Sequence, residues 1–266
     1  MRKMIYLLII LAILYSLVLA FFYFSQRGML FYPQPLSYLI QANENVEEVE
    51  IQMTEGNILR GWLCKNHSTH SRKLLIYFGG NAEEVSHLVP EASLFGDWDV
   101  LLVNYPGYGK SDGRPGEESF FNAALEIYDY AVSRMDADNA QIVVMGRSIG
   151  TASAVYLASK RKTRGVILVS PFESIRAVAQ AKLPFLPVSL LLQHPFASKK
   201  YAEGIQAPVL AFYGTADNIV PPSHSKKLME YWSGPVRLVE LPGYNHNNIF
   251  DSEQLWRETE RFLERF

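Results

Sequence analysis

The run Ile142-Val143-Val144-Met145-Gly146-Arg147-Ser148-Ile149-Gly150-Thr151-Ala152 decides how the rest of the chain is read. Its first four residues are apolar and mostly β-branched, which suits a short buried strand. A serine flanked at two residues on either side by glycine follows, and then alanine-rich sequence of high helix propensity. Strand, Gly-x-Ser-x-Gly, helix is the order of a nucleophile elbow, a turn so sharp that the serine backbone is strained and its Oγ is lifted clear of the sheet. Glycine is needed at 146 and 150 because a Cβ there would meet the neighbouring strand or helix. The amide of Ile149 is then left to face a substrate oxygen.

Working outward, short apolar runs recur on both sides of the elbow. Residues 46–53 and 58–64 alternate around a Thr54-Glu55-Gly56-Asn57 turn and read as a hairpin. Further strand-like runs occupy 74–78, 100–104, 142–145, 166–169, 209–213 and 236–240. Helical patterns lie at 82–95, 117–135 and 151–159, and an amphipathic one closes the chain at 252–266. Strands that are apolar throughout and alternate with helices predict an α/β fold: an eight-stranded, mostly parallel sheet with helices on both faces. The interval between 169 and 209 is too long for a simple connection. It carries Ser170-Pro171-Phe172-Glu173 and a proline-interrupted apolar segment, Leu183-Pro184-Phe185-Leu186-Pro187-Val188-Ser189-Leu190-Leu191-Leu192. It reads as a short lid insertion, at about 171–205, over the carboxyl edge of the sheet.

In such a sheet, chemistry gathers where the strands end. Ser148 follows one strand, Asp217 (in Gly214-Thr215-Ala216-Asp217) follows a later one, and His246 (in Gly243-Tyr244-Asn245-His246) follows the last. Serine, acid, histidine is the chain order this architecture uses for nucleophilic catalysis. A serine hydroxyl needs a base, an imidazole can take its proton and return it to a leaving group, and a carboxylate fixes the imidazole tautomer. Asp112 and Asp251 are weaker candidates for the acid. His67 and His70 fall in a polar turn, His87 in a helical pattern, His194 in the insertion, and His224 at a helix start. Two backbone donors are needed for an oxyanion. Ile149 supplies one, and Asn81, in Tyr77-Phe78-Gly79-Gly80-Asn81-Ala82, supplies the other. Asn81 also reads as the N-cap of the following helix.

The amino terminus is of a different kind. Residues 4–24 are almost unbroken hydrocarbon, with Ser16 as the clearly polar exception. About 20 such residues cross a hydrocarbon layer of about 30 Å. Arg2 and Lys3 precede the run, as in a signal peptide, and Val18-Leu19-Ala20 offers a small-residue cleavage site. The run continues through Phe21-Phe22-Tyr23-Phe24, which favours an uncleaved signal anchor over 1–27, with a catalytic domain over 28–266. Positive charge ahead of the span places the amino terminus in the cytoplasm and the domain on the extracytoplasmic side.

Composition narrows the rest. A formal net charge of -2 gives no basic footprint for nucleic acid. Cys64 is the only cysteine, so neither an intramolecular disulfide nor a cysteine metal cluster is possible. It reads as a small buried hydrophobe. The Tyr105-to-Gly113 loop is rich in glycine, but Gly107-Tyr108-Gly109-Lys110-Ser111 lacks the spacing of a phosphate-binding loop.

Together these segments resemble the α/β-hydrolase family, in particular its membrane-anchored branch of small serine hydrolases, whose relatives include protein-depalmitoylating thioesterases. The resemblance runs from Phe31-Tyr32-Pro33 through Gly80-Asn81-Ala82, the Tyr105-to-Ser111 loop, the Gly146-to-Gly150 elbow, the Gly214-to-Asp217 acid loop and the Gly243-to-His246 loop. Glu83-Glu84 stands where the branch often has Gly-Asn, and Pro106 where arginine is frequent. The first departure is expected to bring negative charge near the oxyanion loop. The resemblance implies a serine hydrolase that cleaves an ester or thioester through an acyl-enzyme, with Ser148, Asp217 and His246 catalytic, and Asn81 and Ile149 as oxyanion donors. It implies no metal and no organic cofactor. The expected partners are the membrane, through the amino-terminal helix, and a small or lipid-like acyl substrate. A peptidase on the same residues, or a silent scaffold that binds a ligand, are the alternatives.

Overall fold

The structure, a computed structural model, describes residues 1–66, 73–134 and 141–266. His67, His70 and Met135 lie outside the described residues. The eight expected strands are β1 (Val46–Gln52), β2 (Ile58–Cys64), β3 (Leu74–Phe78), β4 (Asp99–Val103), β5 (Ile142–Arg147), β6 (Gly165–Val169), β7 (Val209–Gly214) and β8 (Val236–Leu241). They form one sheet in the order β1-β2-β4-β3-β5-β6-β7-β8. The β1–β2 and β2–β4 pairs are antiparallel, and every pair from β4 to β8 is parallel.

Alternation along the strands divides the core in two. Leu74, Ile76 and Phe78 face α2 (Glu117–Arg134) and α3 (Ile149–Lys160). Leu75 and Tyr77 face the other way, onto a layer that includes Leu88, Phe95, Leu255 and Phe262. α2 buries Phe120, Ala124, Ile127 and Ala131, the three- and four-residue spacing of an apolar stripe. Glu117 and Glu118 occupy its first turn, where the helix dipole favours acids. α3 is buried on almost every side, as its alanine-rich composition allows. On the opposite face α8 (Glu253–Leu263) is capped by the Ser252 hydroxyl, which accepts from Leu255 N–H at 3.3 Å.

The helix expected over 82–95 does not form. Two short 3₁₀ helices, Val85–Leu88 and Ala92–Phe95, stand there, with Pro90 between them. Ala82 takes a left-handed φ of 56°, and the cap is Glu84 rather than Asn81. The side chains of Asn81, Glu83 and Glu84 are all committed to tertiary hydrogen bonds. Local helix geometry gives way to those contacts.

Between β6 and β7 lie three short helices, α4 (Ile175–Lys182), α5 (Val188–Leu191) and α6 (Lys199–Ala202). After β7 comes α7 (Pro222–Met229), with proline at its start. At the amino terminus α1 (Arg2–Leu30) is a single 29-residue helix whose apolar window is wholly unburied. It ends at Phe31, which is buried against Phe120, His194 and Phe196.

Candidate active site

The parallel register brings five strand ends level. Phe78 of β3 pairs with Gly146 of β5, Arg147 of β5 with Val169 of β6, Val169 with Phe212 of β7, and Gly214 with Leu241 of β8. The loops leaving these ends carry Gly79 to Asn81, Ser148, Ser170, Asp217 and His246.

Ser148 has φ 51° and ψ -120°, the strained geometry expected of the elbow. Its N–H donates to Val169 O at 2.8 Å. The two elbow glycines are required by close approach. A Cβ on Gly146 would lie 2.4 Å from Gly150 O, and one on Gly150 would lie 2.2 Å from Phe78 O. β5, α3 and β3 therefore meet backbone to backbone, and the serine is carried out at their junction.

Three distant segments meet there. His246 Nε2 lies 2.9 Å from Ser148 Oγ, and His246 Nδ1 lies 2.8 Å from Asp217 Oδ2. The Asp217 carboxylate is buried. It accepts further bonds from the Ile219 and Val220 amides at 2.9 and 2.8 Å and from the Ser170 hydroxyl at 2.9 Å. Burial alone would raise its pKa. The bonds from His246, Val220 and Ser170 outweigh burial and hold it below the usual carboxylate range.

The weaker candidates go elsewhere. Asp112 accepts from Ile58 N–H and pairs with Arg60. Asp251 is exposed in a 3₁₀ turn at Ile249–Asp251. His87 lies against Glu84 O, His194 accepts from Glu117 N–H at 3.4 Å, and His224 faces the Glu173 carboxylate at 2.9 Å. Among the described residues no group of three His, Cys, Asp or Glu side chains is placed to hold a metal ion. Cys64 is buried in β2, and burial, with the nearby Asp99 charge, pushes its thiol up to about 12.

The Gly79-to-Asn81 loop passes beside the serine, since a Cβ on Gly80 would lie 3.7 Å from Ser148 Cβ. The Asn81 side chain is pinned. Its Oδ1 accepts from Tyr32 N–H and Tyr108 O–H at 3.0 and 2.9 Å, and its Nδ2 donates to Leu30 O at 2.7 Å. Among the described residues neither the Asn81 nor the Ile149 amide donates to a protein acceptor.

Two participants, Ser170 and Arg147, escape sequence reading. Ser170 was legible only as the start of the insertion, yet it leaves a strand end just as Asp217 does. Arg147 stands inside the elbow itself. Its guanidinium meets Glu83 Oε2 at 3.0 Å, donates to His246 O at 3.1 Å, and lies over the Phe250 ring. Glu83 also accepts from Gly80 N–H at 2.6 Å and Tyr77 O–H at 2.7 Å. One buried ion pair thus joins the glycine loop, the elbow and the histidine loop. The negative charge expected beside the glycine loop is present, and Arg147 pairs with the Glu83 part of it. Glu84 is likewise committed, to Ser86, Asn104 and Ser37.

Comparison with known proteins gives a consistent picture. The family model described as serine aminopeptidase, S33, matches residues 70–201, a span that includes the glycine loop and Ser148 but ends before Asp217 and His246. An uncharacterized protein of Mycobacterium tuberculosis (strain ATCC 25618 / H37Rv) is 32% identical over 260 residues, 96% of this chain and 92% of that one. An uncharacterized membrane protein of Saccharomyces cerevisiae is 31% identical, over 77% of this chain and 75% of that one. Among solved structures, the Pyrococcus furiosus esterase Pf2001 matches with a TM-score of 0.70 at 20% identity, covering 88% of this chain and 99% of that one.

Proposed function

Because the chain belongs to the α/β-hydrolase family, we propose that it is a membrane-anchored serine hydrolase that cleaves carboxylic esters or thioesters through an acyl-enzyme. The observation that carries this reading is the continuous hydrogen-bonded line from Ser148 Oγ through His246 to the buried Asp217. In the first step Ser148 Oγ attacks the acyl carbon while His246 Nε2 takes its proton. The tetrahedral oxyanion is received by the Asn81 and Ile149 amides. As the bond to the alcohol or thiol breaks, His246 returns the proton to the departing group. Water then attacks the acyl-serine while His246 takes its proton; the acyl–Oγ bond breaks, His246 returns the proton to Ser148 Oγ, and the carboxylic acid is released. Asp217 holds the imidazole with its Nδ1 proton inward and stabilises the cation.

The test uses the full chain in detergent with p-nitrophenyl esters of graded acyl length. Ser148→Ala is expected to lose activity by about 10⁴-fold or more and to take up no fluorophosphonate. If the wild-type chain is no faster than Ser148→Ala and is not labelled, the hydrolase reading fails. The name of the matched family model supports a second reading, a peptidase on the same residues. Against an aminopeptidase stands the engagement of Glu83 and Glu84, the carboxylates next to the glycine loop, by internal partners. Preferential cleavage of aminoacyl p-nitroanilides over esters would favour the peptidase.

In this reading α1 is an uncleaved anchor, the segment between β6 and β7 is a lid, and the domain lies on the extracytoplasmic side. The apolar helix and the position of Arg2 and Lys3 ahead of it support that topology. A reporter fused after Phe266 that is active only outside the cytoplasm is the expected result; cytoplasmic activity reverses the orientation.

A further inference from the structure

We propose that the tip of the α4–α5 segment is itself a membrane-penetrating element, seated in the leaflet that the anchor enters. The inference rests on reading α1 as a transmembrane anchor and adds a second, independent point of contact with lipid.

Three observations converge. First, the tip does not sit at the domain end of α1. The Tyr15 hydroxyl donates to Phe185 O at 3.1 Å, whereas Gln26, nearer the domain, donates to Leu191 O at 3.0 Å and accepts from Gln193 N–H at 2.7 Å. The segment therefore runs back along the anchor from Gln26 to Tyr15, about 16 Å at 1.5 Å per residue. The apolar run ends at Phe24, so Phe185 is level with hydrocarbon about 13 Å inside the span.

Second, the surface matches lipid. Phe185 and Leu190 are 63% and 81% exposed, and Pro184 and Ser189 between and beside them are exposed too. A cleft of about 100 Å³ between the tip and α1 is lined by carbon from both, including Phe22, Met29, Leu183 and Leu186. No Asp or Glu occurs between Glu173 and Glu203, while Arg176, Lys182, Lys199 and Lys200 do. All four are exposed, and Lys182, next to the tip, suits a surface facing anionic headgroups, while Arg176 and Lys200 also lie within range of the Glu117 carboxylate.

Third, the backbone is prepared for a medium without water. Lipid penalises every unpaired amide and carbonyl. Pro184 and Pro187 have no amide to satisfy. The Leu186, Val188, Leu190 and Leu192 amides all bond within the segment. The Gln180 side chain donates to the Leu183 and Leu186 carbonyls at 3.3 and 3.0 Å, and Tyr15 covers that of Phe185. The Phe185 and Ser189 amides are the exceptions, so most of the polar backbone at the tip, though not all of it, is satisfied internally.

The experiment is depth-dependent quenching in the full chain, reconstituted in vesicles of equimolar phosphatidylcholine and phosphatidylglycerol with doxyl-labelled phosphatidylcholine. Cys64 stays in place, since burial shields it from maleimide. A fluorophore is attached in turn to Phe185→Cys, Leu190→Cys, Leu11→Cys in the anchor, and Glu260→Cys on α8, on the sheet face away from Phe31. Ser189→Cys replaces any tip variant whose melting curve departs from that of the parent. The expected result is strong quenching at 185, 190 and 11 and none at 260. Quenching at 11 without quenching at 185 and 190 overturns the inference and leaves the anchor standing. Absence of quenching at 11 overturns the anchor reading, and this inference with it.

Discussion

At the scale of single residues, Asp217 and His246 are held by more than each other. Asp217 receives two amides and the Ser170 hydroxyl, and the His246 backbone is tied to Arg147. Asp217→Asn keeps the shape but fixes the wrong imidazole tautomer, and kcat for ester hydrolysis is expected to fall by about 10⁴-fold. Because the native carboxyl is held below its usual range, its contribution to stability is full above about pH 4 and is lost as pH falls through the lowered value. The Asn variant should show a flatter acid limb in a melting-temperature series. The Arg147–Glu83 pair makes a separate prediction. Arg147→Met strands a buried carboxylate and is expected to cost about 3–5 kcal/mol, read by chemical denaturation. The double variant with Glu83→Gln should cost less than the sum of the two single changes, the mark of a coupled pair. Strict additivity would show that the two side chains do not act together.

Among the elements, what was legible in the sequence follows from whether local pattern or tertiary contact decides the structure. β3 to β7 are almost wholly apolar, β1 and β2 alternate, and α3 is rich in alanine, so local pattern and flanking glycines place them. The elbow was legible because its two glycines answer to steric limits that any such junction imposes. The 82–95 region was not, because Glu83 and Glu84 are helix formers by propensity and were recruited as hydrogen-bond acceptors instead. No pattern along the chain announces that Glu83 faces Arg147, 64 residues on. The join between α1 and the domain is a second such case. There His194 is held below the usual imidazole range by burial and then by the Arg27 charge. The unfolded ring takes a proton near pH 6.5, so stability from this site is full above about pH 6.5 and drains as pH falls toward the native value. His194→Gln removes that titration. Its melting temperature should decline less steeply than the wild type's between about pH 6.5 and pH 5.

Over the whole molecule, α1 runs from Arg2 to Leu30 without a break and passes directly into the buried Phe31. At 1.5 Å per residue it is about 43 Å long, longer than a hydrocarbon layer of about 30 Å. In the proposed anchor reading, a helix with no hinge would transmit direction as well as position, and so set the bearing of the domain on its membrane. A hydrolase mounted in this way would search a plane rather than the bulk, and its rate would follow the mole fraction of substrate in that plane rather than the moles per litre. Adding inert lipid at constant total substrate should slow turnover of a membrane-borne ester in proportion, while hydrolysis of a water-soluble ester stays unchanged. Turnover of the membrane-borne ester that is unchanged by added lipid would show that the domain is not confined to the membrane plane. In the proposed reading a fixed bearing would also restrict the hydrolase to acyl groups presented by the bilayer that holds it, so two membranes brought into contact would keep separate accounts of what each has hydrolysed.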